Sequence, residues 1–267
     1  MNIDSRLEQA NDNAAAFWLA QARAHDWRAE TGSGWTAARC ARNPEDAHRV
    51  VVTRSYAEPR AVEQELAELF TAWSTVRFTV EDPYGRLDLS RLGGARMPLM
   101  PVMAREPGPL DHGGGRPRTW EKGHGDGSLT VGEALVGDEF ALVERVVVDG
   151  FPLPARQPWV RGVALPEALL RRPGLRAWLG RVDGAPAGAC LTYDDGRATG
   201  VYWVATLPDR RGRGVARAVL ETALTHAHPN RPATLVATSL GEPLYRKLGF
   251  TALADTCWWT GSTGTEG

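Results

Sequence analysis

Residues 201–216 read VYWVATLPDRRGRGVA, and no other stretch limits the possible folds so much. The run Val201, Tyr202, Trp203, Val204, Ala205 is β-branched and aromatic, the composition of a buried strand. Pro208 has no N–H to give to a ladder and stops that strand. Arg210, Arg211, Gly212, Arg213 and Gly214 then make a turn, and from Val215 through Glu221 the pattern is helical. A strand feeding a helix through a tight turn belongs to a layered α/β fold. The turn itself has a chemical use. A helix start leaves about four backbone N–H groups without partners and carries roughly half a positive charge. Gly212 and Gly214 let a ligand approach the backbone, and three arginines add charge, so the turn suits a pyrophosphate. The competing reading is an ordinary strand–helix turn whose arginines face solvent.

The spacing excludes two familiar phosphate loops. No Gly-Lys-Ser/Thr follows, and the second G-x-x-G spacing of a dinucleotide fingerprint is missing. Arg211, Gly214 and Ala216 instead occupy the fixed positions of the pattern Arg/Gln-x-x-Gly-x-Gly/Ala. About thirty residues on stands a second segment, residues 241–250, GEPLYRKLGF. In this order and spacing the two segments resemble the acetyl-CoA loop and the closing "LYxKLGF" segment of the GCN5-related N-acetyltransferase (GNAT) family. The resemblance covers residues 128–259.

The resemblance implies an α/β (α+β) fold, with a mixed central sheet flanked by helices, and acetyl-CoA as cosubstrate. In that family the central strand splays from its neighbour at a bulge, and the pantetheine arm satisfies the N–H and C=O groups that lose their sheet partners. By resemblance those residues are Val204, Ala205 and Thr206, with an amide near Val204 polarising the thioester carbonyl. The loop Arg211, Gly212, Arg213, Gly214, Val215 and Ala216 would hold the pyrophosphate. Tyr245 stands where the family places the acid that protonates the CoA thiolate; a phenol with a pKa of about 10 carries its proton at neutral pH. The competing reading of Tyr245 is a core tyrosine. Ser239 is either a cofactor contact or a strand-end cap.

The general base is the gap. Gly200, Val201, Tyr202 and Trp203 bring no carboxylate to the central strand. Asp194 and Asp195 precede it and read first as turn residues; Glu133 and Glu144 are further candidates, and deprotonation through water is the remaining route. Trp159, Tyr202 and Trp203 are candidates for an aromatic acceptor pocket, against a plain core role.

Composition excludes several other classes. A net charge of −1 over 267 residues gives no long-range pull toward nucleic acid or an anionic membrane. Cys40, Cys190 and Cys257 are scattered and odd in number, which argues against a disulfide framework and a zinc site. No metal is expected, nor from His112 and His124, which lack a ligand set of fixed spacing. No apolar run approaches the roughly 18 residues of a spanning helix, and the polar N-terminus is no signal peptide. The expectation is a cytoplasmic monomer or homodimer with a small-molecule amine as partner, without nucleic acid or membrane.

Along the chain, a helix is expected over 4–28 and strands over 35–41, 48–53, 76–80 and 96–103. Further helices are expected over 59–73 and 87–92. Residues 85–94 align without a gap against 241–250, Gly93 falling on Gly249 and Leu89 on Tyr245. Either chance or a weak repeat explains this. The repeat makes residues 1–105 a degenerate GNAT-like domain without the arginine–glycine loop. Residues 106–127, rich in Gly and Pro, read as a linker, 128–259 as the acetyltransferase domain, and 260–267 as a disordered tail. Within the second domain the order is strand 129–134, helix 137–148, a loop over the site at 152–159 and a short helix 165–172. A hairpin 175–182/185–193 turns at Asp183-Gly184, followed by the central strand 198–206, helix 214–226, strand 232–239, helix 243–248 and strand 251–259. The function expected is acetyl transfer to the amine of a small molecule. The alternatives are a non-catalytic acyl-CoA-binding or sensor protein, and a GNAT-fold enzyme with other acyl-CoA chemistry.

Overall fold

The chain divides into two compact units. One comprises Met1–Ala104, Val236–Glu242 and Thr251–Gly267, the other Arg105–Leu235 and Pro243–Phe250. The computed structural model describes residues 3–40, 47–75, 77–110, 128–151, 153 and 156–262. Residues 41–46, residues 111–127 of the expected linker with His112 and His124, residues 152, 154 and 155 of the expected loop, and residues 263–267 of the expected tail lie outside the described residues.

The first unit holds α1 (Ile3–His25), β1 (Ala29–Thr31), β2 (Trp35–Ala38), β3 (His48–Val52), α2 (Pro59–Ala72), β4 (Arg77–Asp82), β5 (Gly94–Arg96), β6 (Met100–Arg105) and the long β12 (Thr251–Ser262). Pro59 begins α2, where its missing N–H has no partner to lose. Val62, Leu66, Leu69 and Phe70 recur at helical spacing and are buried. They share one core with Trp35, Val50, Trp73, Phe78, Val80 and Trp259. The sheet order is β1-β2-β3-β4-β12-β6, with β3 and β4 parallel. The helix expected over 87–92 is a single 3-10 turn, Ser90–Leu92, ended by Gly93 at φ 77°. The expected boundaries put 251–259 in the second domain. The strand formed there pairs with β4, β5 and β6 of the first unit and runs on through 260–262, the first residues of the expected tail.

The second unit holds β7 (Leu129–Glu133), α3 (Gly137–Gly150), β8 (Leu175–Val182), β9 (Ala185–Asp194), β10 (Thr199–Thr206), α4 (Val215–Thr225), β11 (Ala233–Val236) and nearly all of α5 (Glu242–Lys247). The sheet order is β11-β10-β9-β8-β7, antiparallel except for the parallel pair β10–β11. Asp183 (φ 52°) and Gly184 (φ 77°) join β8 to β9 with both central residues left-handed, the geometry that matches strand twist in a two-residue hairpin. The short helix expected over 165–172 is a 3-10 turn, Glu167–Arg171.

Two glycines fix how closely α4 lies on this sheet. A Cβ on Gly188 would stand 2.5 Å from Val215 Cγ1, and one on Gly180 would stand 2.7 Å from Val219 Cγ2. Only residues without a side chain let the helix settle there. Val215, Ala218 and Val219 complete the contact with Trp178, Ala187 and Cys190 in one buried cluster.

Candidate active site

The site is built around a fault in β10. On one edge, Tyr202 pairs with Leu191 and Ala205 with Ala189, so Trp203 and Val204 together stand opposite Cys190. Two residues facing one is a β-bulge. On the other edge, the ladder to β11 has only two pairs, Thr199–Ala233 and Gly200–Thr234. From Val201 onward β10 has lost its parallel neighbour. Burial reports the same opening: Thr199, Gly200 and Val201 are buried, then Tyr202, Trp203 and Val204 are all partly exposed, although the strand lies inside the sheet. Trp203 takes φ 53° at the bulge. A left-handed conformation costs a bulky L-residue roughly 1–2 kcal/mol. The Trp203 ring meets Phe151 edge-on at 5.6 Å and 89°.

The end of β10 leads into the expected anion loop. Gly212 (φ 74°) and Gly214 (φ 78°) are both left-handed, and a Cβ on either would meet nothing within 4 Å. The backbone is therefore turned outward into open space. Gly214 is the N-cap of α4, and no side chain caps that helix start. Val215 is buried, and with Ala216 it opens the helix, so their N–H groups belong to its unpaired first turn. Thr206, the last residue of β10, keeps a buried Oγ1 without a hydrogen-bond partner. A glycine-lined, uncapped helix start with an unsatisfied hydroxyl at the adjoining strand end fits a phosphate-bearing cofactor that runs on along an opened strand.

The loop arginines separate in role. Arg211 donates from Nη2 to the Gly150 carbonyl at 2.9 Å and from Nε to the Thr206 carbonyl at 3.3 Å. Its side chain thus caps the end of α3, where a cation opposes the helix dipole. Arg210 lies 3.0 Å from Asp209. Arg213 is exposed. Gly150 shows how close α3 comes to the strand: a Cβ there would stand 3.0 Å from Ala205 Cβ.

Tyr245 is buried on α5, its ring 6.0 Å from Phe250. Burial first, and the neighbouring Cys190 second, push its phenol well above the ordinary tyrosine value. Burial likewise pushes the Cys190 thiol up, the opposite of what a nucleophilic thiolate needs. Ser239 is exposed, in the segment that groups with the first unit.

All four carboxylates considered as a base are engaged elsewhere. Glu133 accepts from Arg176 Nε at 2.8 Å and Nη2 at 2.5 Å, and this pairing holds it below the usual carboxylate range. Glu144 is fully buried and accepts the N–H groups of Gly162, Ala164 and Leu165 at 2.7, 2.8 and 2.9 Å. Asp194 accepts from the Gly196 N–H at 2.8 Å and pairs with Arg231. Asp195 accepts the N–H groups of Arg197 and Ala198, both at 2.8 Å. Three features escape sequence reasoning: the Glu144 clamp on 162–165, the Arg211–Gly150 link, and the left-handed Trp203. Residue type signals none of them, because each depends on which backbone groups the fold brings near.

Residues 173–252 match the family model of the acetyltransferase (GNAT) domain. No curated protein matches the chain. Among solved structures, the fold is shared with a GCN5-related N-acetyltransferase from Kribbella flavida, at 20% identity over 94% of this chain and 96% of that one, TM-score 0.61. It is shared with a tandem GNAT protein from the clavulanic acid biosynthesis pathway, at 18% identity over 87% and 79%, TM-score 0.55. A GCN5-related N-acetyltransferase from Sphaerobacter thermophilus matches at 18% identity over 86% and 77%, also with TM-score 0.55.

Proposed function

We propose that the GNAT domain at residues 173–252 makes this chain an acetyl-CoA-dependent N-acetyltransferase that acts on the amine of a small molecule. One observation carries the reading: β10 bulges against β9 and loses its β11 neighbour before an uncapped, glycine-lined helix start. Arg213 and the N–H groups of 212–216 would hold the pyrophosphate, and Val204, Ala205 and Thr206 would bind the pantetheine arm as a neighbouring strand. Acetyl-CoA, when bound, supplies the thioester whose acetyl carbon gains the C–N bond as its C–S bond breaks. Peptide N–H groups at the Trp203–Val204 bulge would serve as donors for the carbonyl oxygen of that thioester. Tyr245, a phenol protonated on Oη across the working pH range, would be the acid for the departing thiolate. With those four carboxylates engaged in other bonds, the acceptor amine would give its proton to water.

The same engagement favours a second reading, an acyl-CoA-binding protein without turnover. Thiol release from acetyl-CoA over a panel of amino acids, aminoglycosides, polyamines and simple amines decides between them. Release with at least one amine supports the enzyme; tight acetyl-CoA binding with no release from any overturns it. The reading also takes the first unit as a non-catalytic copy. It places the protein in the cytoplasm as a monomer or homodimer, with neither nucleic acid nor membrane as partner, which a net charge of −1 supports.

A further inference from the structure

The residue at the bulge is the wrong type for its backbone. A left-handed position inside a strand suits glycine or asparagine, and a bulky side chain there is a strained exception. Such exceptions gather where a side chain is used. Trp203 holds φ 53°, and it does so in the middle of the three partly exposed residues that mark the opened stretch of β10. Its ring is not loose: Phe151, at the end of α3, meets it edge-on at 5.6 Å. A braced indole is thus carried by the residue whose peptide groups would face the reacting carbonyl in the proposed enzyme. Carboxylates do not set the character of this corner. Glu144 is spent on three backbone N–H groups, and Asp149 is held by Gln157 and Arg145.

We infer that Trp203 determines acceptor specificity: its indole packs against a planar aromatic group that the acceptor carries close to the amine. Aromatic rings prefer offset or edge-on partners, and such pairs gain affinity beyond the area they bury. The inference rests on the acetyltransferase reading for its place in the reaction, but not for its test.

The test compares 2-phenylethylamine with 2-cyclohexylethylamine, which share a skeleton and nearly the same apolar area and differ in the π-system. Calorimetric titration of each into the CoA-saturated protein should show the phenyl amine binding about fivefold more tightly. Trp203→Gly suits the left-handed backbone but gives up the packing on Phe151, so its melting temperature should fall; CoA titration reports that it is folded, and it should erase the preference. Trp203→Leu keeps apolar bulk without the π-system and should also erase it; Trp203→Phe should restore part of it. Equal binding of the two amines by the wild type, or no binding of either, overturns the inference, as does a preference that survives in both the Gly and Leu variants. Thiol release from acetyl-CoA in parallel samples separates the two claims. Selective binding without release sinks the acetyltransferase reading and leaves the aromatic assignment standing.

Discussion

Two strand–helix junctions in this chain run in the same order and end in opposite chemistry. In the first unit β3 leads to α2, then to β4, a 3-10 turn and left-handed Gly93. In the second β10 leads to α4, then to β11, α5 and left-handed Gly249. The first pair of strands, β3 and β4, stays zipped through four consecutive pairs, from His48–Phe78 to Val51–Glu81. The second pair separates after two. At the helix starts, α2 has Glu58 at the N-cap and Pro59 next, whereas α4 has Gly214 and no capping side chain. A surface depression of about 570 Å³ beside the start of α2 is lined by Glu58, Glu63 and Asp88 among its residues, with Arg60 and Arg91 opposite in sign. Carboxylates there repel a phosphate, and Pro59 removes one of the N–H groups that would bind it. A shared order of elements thus does not make a site. The site comes from leaving a ladder unfinished and a helix start bare.

The sharpest way to break this comparison is to fill the bare start. Gly214→Trp places an indole in open space at a left-handed position and should abolish acetyl-CoA binding, read as a loss of more than about 100-fold in Kd by calorimetry. The wild type should bind one acetyl-CoA per chain; two would mean that the first junction also works and would end the contrast. Next in size, Tyr245→Phe should lower kcat by about 100-fold with little change in acetyl-CoA affinity. Unchanged turnover would remove Tyr245 from the chemistry. Its raised pKa has a further consequence. The unfolded chain ionises at about pH 10 while the folded phenol does not, so this residue leaves stability untouched below that pH. Above it, stability falls by about 1.4 kcal/mol per pH unit until the folded phenol also ionises. Alkaline melting curves of wild type and Tyr245→Phe should diverge only there. Tyr56 in the first unit, raised by burial and by Asp82, should show the same window, so each Phe variant removes its own share.

Smaller effects test the seat of α4 and the division among the arginines. Gly188→Ala brings a methyl toward Val215 and should destabilise by about 1–3 kcal/mol, with roughly a tenfold weaker hold on acetyl-CoA as the helix start shifts. Arg211→Gln should lower Tm slightly, since it uncaps α3, while Arg213→Gln should leave Tm alone and weaken acetyl-CoA binding a few-fold, more at low salt. The reverse pattern would mean that Arg211, and not Arg213, reaches the phosphates.

Much of this architecture is legible in the residues themselves. Helical recurrence marks α2, α3 and α4, Asp183-Gly184 marks the β8–β9 turn, and the glycine–arginine turn falls between a strand and a helix as its composition requires. What escapes is set by partners distant in sequence. Nothing in residues 201–206 says that β11 leaves after Thr234, nor that Gly150 will present its carbonyl to Arg211. Of the three short helices expected, 87–92 and 165–172 are 3-10 turns while 243–248 forms α5, so segment length alone does not decide between them. The place of β12 escapes for a related reason: an alternating stretch reads as a strand, but its neighbours are chosen by sheets some 150 residues earlier in the sequence.

That last strand bears on how the protein is made. Thr251–Ser262 lies between β4 and β6, so the sheet of the first unit lacks an inner member until about 150 residues beyond β6 have been synthesised. On the ribosome, the part that emerges first is the part that must wait. A fragment cut near residue 105 would carry β4 and β6 with a gap between them, and an expression strategy that separates the halves there would strand both exposed edges.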